Sequence, residues 1–275
     1  MMSVLRLGPA TASALSFLLI ALSSGVSHAG SRIEVSYAVT YLHVAIGAGR
    51  WSLNTSGNRY ATTASGEVKG MMSYLINGEG SAHTDGLITH GSPSANRFAA
   101  HVVSTAEMDD ITIIFQNGAV RDLHATPPFP PIPTRVTVSA ADLVDVRDPL
   151  SAALAFMGGR NVLDSSLCDR RLRIFDGRRR FDVALSYKRT KSLRVPPAFE
   201  GTGTVCAAQL FPIAGQQVKN STLKYLVESK NLEIEYALIP EAGAYIPVAA
   251  ALPTLIGTVH VNAVGLTITD PDRKD

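Results

Sequence analysis

Apolar and polar residues alternate along most of the chain, and short turn signals separate the alternating stretches. In residues 33–41, Ile33, Val35 and Tyr37 alternate with Glu34 and Ser36. A period of two is typical of a strand with one face buried. The pattern returns about every ten residues up to position 125 and predicts a β-meander.

Glycines mark the predicted turns of this meander. Asn117-Gly118 and Asp176-Gly177 stand between strand-like runs and predict hairpin turns, because glycine adopts positive φ without steric cost. The Gly47-Ala48-Gly49 segment predicts a break between two strands. Later strands are predicted at 207–211, 222–227, 232–239, 255–262 and 265–269.

The middle of the chain has a different pattern. Residues 126–134 are rich in proline and predict an extended crossover, since proline lacks the ladder donor. A ligand for a proline-recognising domain is the alternative. Residues 139–158 are predicted to form a helical segment. Within it we predict a helix over 148–157, with Asp148 as its N-cap and Pro149 as its first helical residue.

Together these patterns predict an all-β fold, mainly antiparallel. We expect a large curved sheet, spiral or half-barrel in shape, that wraps one short central helix and is stapled by a disulfide. One β-rich domain is expected over residues 30–270, with strand-rich halves at 31–125 and 168–270 and a tail at 271–275.

Residues 1–29 predict a secretory signal peptide cleaved near Ala29. Arg6 precedes a short apolar run, and Ser27-His28-Ala29 is a cleavage-site pattern. The run is too short to span a bilayer, so we expect a periplasmic protein with no transmembrane segment after cleavage.

Cys168 and Cys206 are the two cysteines of the chain. In an oxidising compartment two cysteines most simply form one disulfide. A reactive thiol pair is the alternative, but no C-x-x-C motif supports it.

The charges of the chain give little information about its binding partners. The formal net charge of +2 favours no nucleic-acid partner. Arg178, Arg179 and Arg180 form a cationic cluster that is a candidate interaction surface for anionic lipid head groups or an acidic partner. A solvated hairpin tip is the alternative interpretation.

Candidate chemistry is sparse. His83, Asp85 and His90 are weak metal-ligand candidates, with polar hairpin residues as the alternative. Carboxylate pairs occur at 109–110 and 233–235. No nucleophile elbow or phosphate loop is present, so no catalytic residue and no cofactor is predicted.

Two segments resemble one bacterial family. Residues 147–152 read Arg-Asp-Pro-Leu-Ser-Ala, and 175–179 read Phe-Asp-Gly-Arg-Arg, with the two cysteines around the second segment. The chain resembles, from about 37 to 266, the exported proteins of the domain of unknown function DUF3108. One departure is Val248-Ala249-Ala250, where the resemblance predicts Pro-Val-Arg. The resemblance implies a periplasmic, β-rich protein with paired cysteines and no established activity.

The leading functional hypothesis is a non-enzymatic periplasmic protein of the cell envelope that binds a lipid or lipoprotein or serves as a scaffold. One alternative is an envelope hydrolase that uses His83, Asp85, His90 or the carboxylates. Another is a protein-interaction module that uses the arginine hairpin. The sequence predicts no particular oligomeric state.

Overall fold

The protein is described from a computed structural model, which covers residues 30–70, 78–105, 108–128, 133–157 and 165–269. The predicted signal peptide, residues 71–77 of the predicted meander, the centre of the proline run and the tail at 271–275 lie outside these residues. The described strands are β1 Ser31–Tyr41, β2 Val44–Ser56, β3 Arg59–Val68, β4 Gly78–Thr89, β5 Ser92–Ser104, β6 Met108–Gln116, β7 Ala119–Thr126, β8 Ala155–Phe156, β9 Arg170–Phe175, β10 Arg180–Val195, β11 Phe199–Ala214, β12 Glu233–Ile239, β13 Ala244–Thr254 and β14 Gly257–Thr269. The helices are α1 Pro149–Ala153 and α2 Ser221–Glu228.

All fourteen strands belong to one antiparallel sheet. Strands β1 to β7 form one meander and β9 to β14 another, and the two meet at the centre where β1 pairs with β14. The outer strands of the order are β7 and β9, so the curled sheet is unclosed. The expected all-β, mainly antiparallel fold is confirmed.

The two halves touch where the sheet curls. The β9–β10 turn reaches β6, where Arg178 Nη2 lies 2.6 Å from Asp109 Oδ1. A Cβ atom built on Gly177 would lie 2.4 Å from Ile111 Cγ2, so only glycine fits this approach. In addition, the Val146 N–H donates to the Gly118 carbonyl at 2.8 Å.

Helix α1 lies between the halves and begins as the sequence predicts. Asp148 accepts hydrogen bonds from the N–H groups of Leu150 and Ser151, both at 3.0 Å, and Pro149 is the first helical residue. The helix is shorter than the predicted 148–157. It ends at Ala153 because residues 155–156 extend and pair with β13 instead.

Buried hydroxyls join α1 to the first half. Thr84 donates to Asp148 Oδ1 at 2.7 Å, Ser151 Oγ donates to Asp148 Oδ2, and Tyr60 shares a hydrogen bond of 2.6 Å with Ser151. Burial raises the pKa of Asp148 above its ordinary value, although these hydrogen bonds act in the opposite direction. Burial likewise raises the pKa of Tyr60.

Two local predictions are wrong. Residues 222–227 are helical rather than extended, because Asn220 caps α2 by accepting from the Leu223 N–H at 2.8 Å. Strand β2 continues through Gly47 and Gly49, and the turn before it is Leu42-His43, both with positive φ. None of the helices in the described ranges is long and apolar enough to cross a bilayer.

The predicted disulfide is confirmed. Cys168 and Cys206 are bonded, with 5.4 Å between their Cα atoms, and both are fully buried beside Tyr236 and Leu172. Cys168 ends a short 3₁₀ turn before β9, whereas Cys206 lies on β11. The bond therefore links β11 to the turn that leads into β9, and β9 and β11 flank β10.

Candidate functional site

A pocket of about 400 Å³ lies beside the outer edge of β9. Ladder pairing on that edge is limited to a parallel bridge between Arg147 and Ile174, within the residues that the structure describes. The pocket lies between this edge, the α1–β8 segment and the β4–β5 turn. Its lining residues are Gly91, Ser92, Pro93, Asp145, Arg147, Ala155, Phe156, Met157, Ser166, Leu167, Arg170, Arg171, Leu172, Arg173 and Tyr245.

Four of the lining residues are arginines, and two of these have acidic partners. Arg173 Nη1 donates to Asp145 Oδ2 at 3.0 Å, and the Asp145 side chain is 82% exposed. Arg171 Nε donates to Asp182 Oδ2 at 2.6 Å, and its guanidinium carbon lies 4.6 Å from the Phe211 ring centroid. The Arg173 pair is therefore open to competition from solvent or a ligand.

Arg170 is the most enclosed of the four arginines. Its Nε donates to the Leu167 carbonyl at 2.7 Å, and burial lowers its pKa. Its Nη2 is buried, and its guanidinium interacts with the buried Tyr236 hydroxyl. We assign Arg170 mainly to the core, where it lies near Tyr236.

Arg147 is held in place by its main chain. Its N–H donates to the Arg173 carbonyl at 2.8 Å, and its carbonyl accepts from the Phe175 N–H at 2.9 Å. No acceptor for its guanidinium is found within the described part of the chain. Arg147 and Arg173 thus both contribute cationic side chains to the lining of the pocket.

The remaining wall is mostly apolar. Phe156 and Met157 follow α1, Leu172 is a core residue of β9, and Pro93 and Tyr245 are buried. The early end of α1 places this wall, because it releases residues 155–157 to run beside β13. The pocket thus combines a cationic rim with an apolar surface.

The three predicted interaction arginines have different surroundings. The Arg178 side chain is 12% exposed and pairs with Asp109, and the Arg180 side chain is 4% exposed and pairs with Asp182. Only Arg179 is exposed. The prediction of a joint surface is corrected for Arg178 and Arg180, since the curl of the sheet covers them.

The predicted metal ligands are not gathered at one point. His83 and Asp85 lie on one face of β4, with 3.7 Å between Nε2 and Oδ1, but His90 lies in the β4–β5 turn. Among the described residues, no three His, Cys, Asp or Glu side chains are placed to hold a metal ion. His83 instead lines a polar groove of about 860 Å³, as does His101, which contacts Asp110 at 2.6 Å.

The carboxylate pairs are engaged in ion pairs. Glu233 contacts Lys188 at 2.5 Å and Arg189 at 3.0 Å, and the hydrogen bond from Lys188 lowers the pKa of Glu233. Glu235 contacts Lys191 at 2.9 Å. Both carboxylates of β12 thus pair with cations of β10, the next strand but one in the sheet.

Sequence reasoning missed Arg147 and Arg173 as a pair. Arg147 begins the segment that carries the family resemblance, and Arg173 belongs to the arginine-rich run before the hairpin turn. Their proximity depends on the bridge between residue 147 and β9, which no local pattern indicates.

A comparison with solved structures finds matches at very low identity. A β-barrel-like protein of the domain of unknown function DUF1849 from Brucella abortus is 10% identical, with 88% of this chain and 98% of that chain covered and a TM-score of 0.48. The hypothetical protein CT021 from Chlamydia trachomatis is 9% identical, with 88% and 89% covered and a TM-score of 0.30. No curated protein matches the chain.

A family model gives a more specific result. It covers residues 36–264, which include both cysteines, the Asp148 cap and the arginine-lined pocket. The family is described as proteins of unknown function. The chain belongs to this family, DUF3108.

Proposed function

We propose that this is a non-enzymatic protein of the cell envelope that binds an anionic amphiphile in the arginine-lined pocket. In this proposal residues 1–29 direct export to the periplasm. The ligand's phosphate or carboxylate lies against Arg147 and Arg173, and its hydrocarbon chain lies against Phe156 and Met157.

The charges support an anionic head group. The pocket is lined by four arginines and one carboxylate, that of Asp145. Asp182 also lies near, but it is shared between Arg171 and Arg180. Arginine presents a planar set of donors that matches phosphate and carboxylate oxygens. An anion can therefore bind Arg147 directly and displace Asp145 from Arg173.

The apolar wall and the size support a hydrocarbon chain on the ligand. Ligand sites in proteins typically start at about 300 Å³ and are lined mainly by apolar groups with a few polar ones. The pocket volume of about 400 Å³ exceeds that limit. The one observation that carries the proposal is that several arginines and an apolar wall line a single pocket.

Calorimetric titration with n-dodecyl phosphate tests the proposal. Inorganic phosphate supplies the head group alone, and n-dodecyl maltoside supplies an uncharged amphiphile. We expect dodecyl phosphate to bind more tightly than either. Arg147→Ser and Arg173→Ser should each weaken it about tenfold, the effect of losing one charged hydrogen bond worth about 1.5 kcal/mol.

Two further variants sharpen the result. Asp145→Asn frees Arg173 and should tighten binding of dodecyl phosphate. Arg194→Ser removes an arginine that is 75% exposed and paired with Glu200, far along β10, and should leave binding unchanged. Absence of dodecyl phosphate binding by the folded protein, or equal binding by the Arg147 and Arg173 variants, would contradict the proposal.

A further inference from the structure

Two neighbouring hairpin turns expose a cluster of aliphatic side chains. The β1–β2 turn carries Leu42 and Val44, which are 66% and 60% exposed. The β13–β14 hairpin carries Leu252, Leu255 and Ile256, which are 38%, 56% and 78% exposed. We call these five residues the apolar tips.

Sheet pairing holds the apolar tips together. Tyr41 lies opposite Val259 in the β1–β14 ladder, so the two turns are adjacent at one end of the central strand pair. The Tyr41 hydroxyl also donates a hydrogen bond to the Ile256 carbonyl. The tips are therefore one structural unit rather than two separate loops.

The tips carry almost no charge. Residues 41–46 and 251–258 contain no Asp, Glu, Lys or Arg, and Tyr41 and His43 are their two titratable side chains. The nearby Lys69, whose N–H donates to the Ile46 carbonyl, is paired with Glu67 at 2.8 Å. Because these segments contain no carboxylate, the tips could enter a hydrocarbon layer without taking a carboxylate out of water.

The size of the cluster decides between two kinds of partner. A stable protein–protein interface uses roughly 20–30 residues on each side. Five residues on two narrow turns are too few for such an interface, but a few exposed aliphatic side chains are sufficient to anchor a protein surface in a bilayer.

We infer that the apolar tips are a membrane-contacting surface that inserts between the lipids of a bilayer. The inference is independent of the proposed ligand pocket. The pocket lies by the β4–β5 turn, at the opposite end of the strands from Leu42 and Ile256, about 35 Å away for a strand as long as β1.

Co-sedimentation of the purified protein with phosphatidylcholine vesicles tests this inference. These vesicles carry no net charge, so attraction of lipid to arginines contributes little. We expect the protein to bind them, and the double variant Leu255→Ser, Ile256→Ser should lower the vesicle partition coefficient about tenfold or more.

The matched control is Val218→Ser, which removes a side chain that is 68% exposed elsewhere on the surface. It should bind vesicles like the unaltered protein, as should Arg147→Ser. The double variant and Val218→Ser should keep the same melting temperature as the unaltered protein, because the changed residues are exposed.

Three outcomes would overturn the inference. The first is that the unaltered protein fails to bind the vesicles, and the second is that the double variant binds them as well as Val218→Ser does. The third is that, without vesicles, the unaltered protein self-associates in sedimentation equilibrium and the double variant does not. The last result would make a second copy of the chain the partner of the tips.

Discussion

Replacing Asp148 with alanine removes the acceptor on which α1 depends. The loss of an N-cap side chain costs about 1 kcal/mol of stability. The hydroxyls of Thr84 and Ser151, both fully buried, lose their acceptor, at about 1.5 kcal/mol each. We therefore expect the free energy of unfolding to fall by about 4 kcal/mol. Urea unfolding measures this as a lower midpoint at an unchanged slope.

Asp142 supplies a matched control. It lies within the short 3₁₀ turn Ala140–Leu143, whose N-cap is Ser139, and its carboxylate accepts from the Ser139 N–H at 2.8 Å, but it lies at the surface. Asp142→Ala should cost less than about 1 kcal/mol. A second variant, Asp148→Asn, keeps one acceptor oxygen for Thr84 and should cost much less than alanine.

The stability costs of Asp148→Ala and Asp142→Ala should change with pH in opposite directions. Burial raises the pKa of Asp148 above its ordinary 3.8, so the native state holds this proton more tightly than the unfolded state. The contribution of Asp148 is complete below pH 3.8 and is lost as the pH rises through the folded pKa, so the cost of Asp148→Ala should shrink with rising pH.

For Asp142 the hydrogen bond from Ser139 lowers the pKa. Its contribution is present above the ordinary pKa and is lost on acidification, so the cost of Asp142→Ala should grow with rising pH. A cost for Asp148→Ala below about 1.5 kcal/mol, or one that grows with pH, would refute the reasoning.

Two further changes test the contacts that hold the sheet in its curl. Joint replacement of Cys168 and Cys206 by serine opens a loop with a sequence separation of 38 and should lower the free energy of unfolding by about 4 kcal/mol, measured against the oxidised protein in urea. Gly177→Ala places a methyl group against Ile111 at a residue with φ of 95° and should cost about 2 kcal/mol. An unchanged urea midpoint for either variant would show that the contact contributes little.

Local sequence signals predicted the parts of the fold that depend on neighbours in the chain. The Asp176-Gly177 hairpin, the Asp148 cap and the all-β class needed only periodicity and turn chemistry. The run at 222–227 was misassigned because a short apolar segment fits a strand and a helix equally well, and the Asn220 cap decided the outcome. The Leu42-His43 turn lacks the glycine or asparagine that usually marks positive φ.

The candidate site was harder to predict because it depends on distant contacts. The arginine-rich run was visible, but its hairpin placement sends Arg178 to Asp109 and Arg180 to Asp182, while Arg173 faces the pocket. Arg147 reaches the same pocket through a parallel bridge to β9 that no repeat or motif specifies.

The pairing of β1 with β14 has a consequence for how the chain matures. In this pairing Thr269 lies opposite Arg32, so half of the hydrogen-bonding partners of β1 are synthesised much later than β1 itself. Each meander can assemble from sequential neighbours, but the seam between them must wait until β14 has been synthesised. A chain truncated before residue 257 would lack β14. The edges of β1 and β13 that pair with β14 would then be unpaired in the middle of the sheet, where other unfinished chains can pair with them.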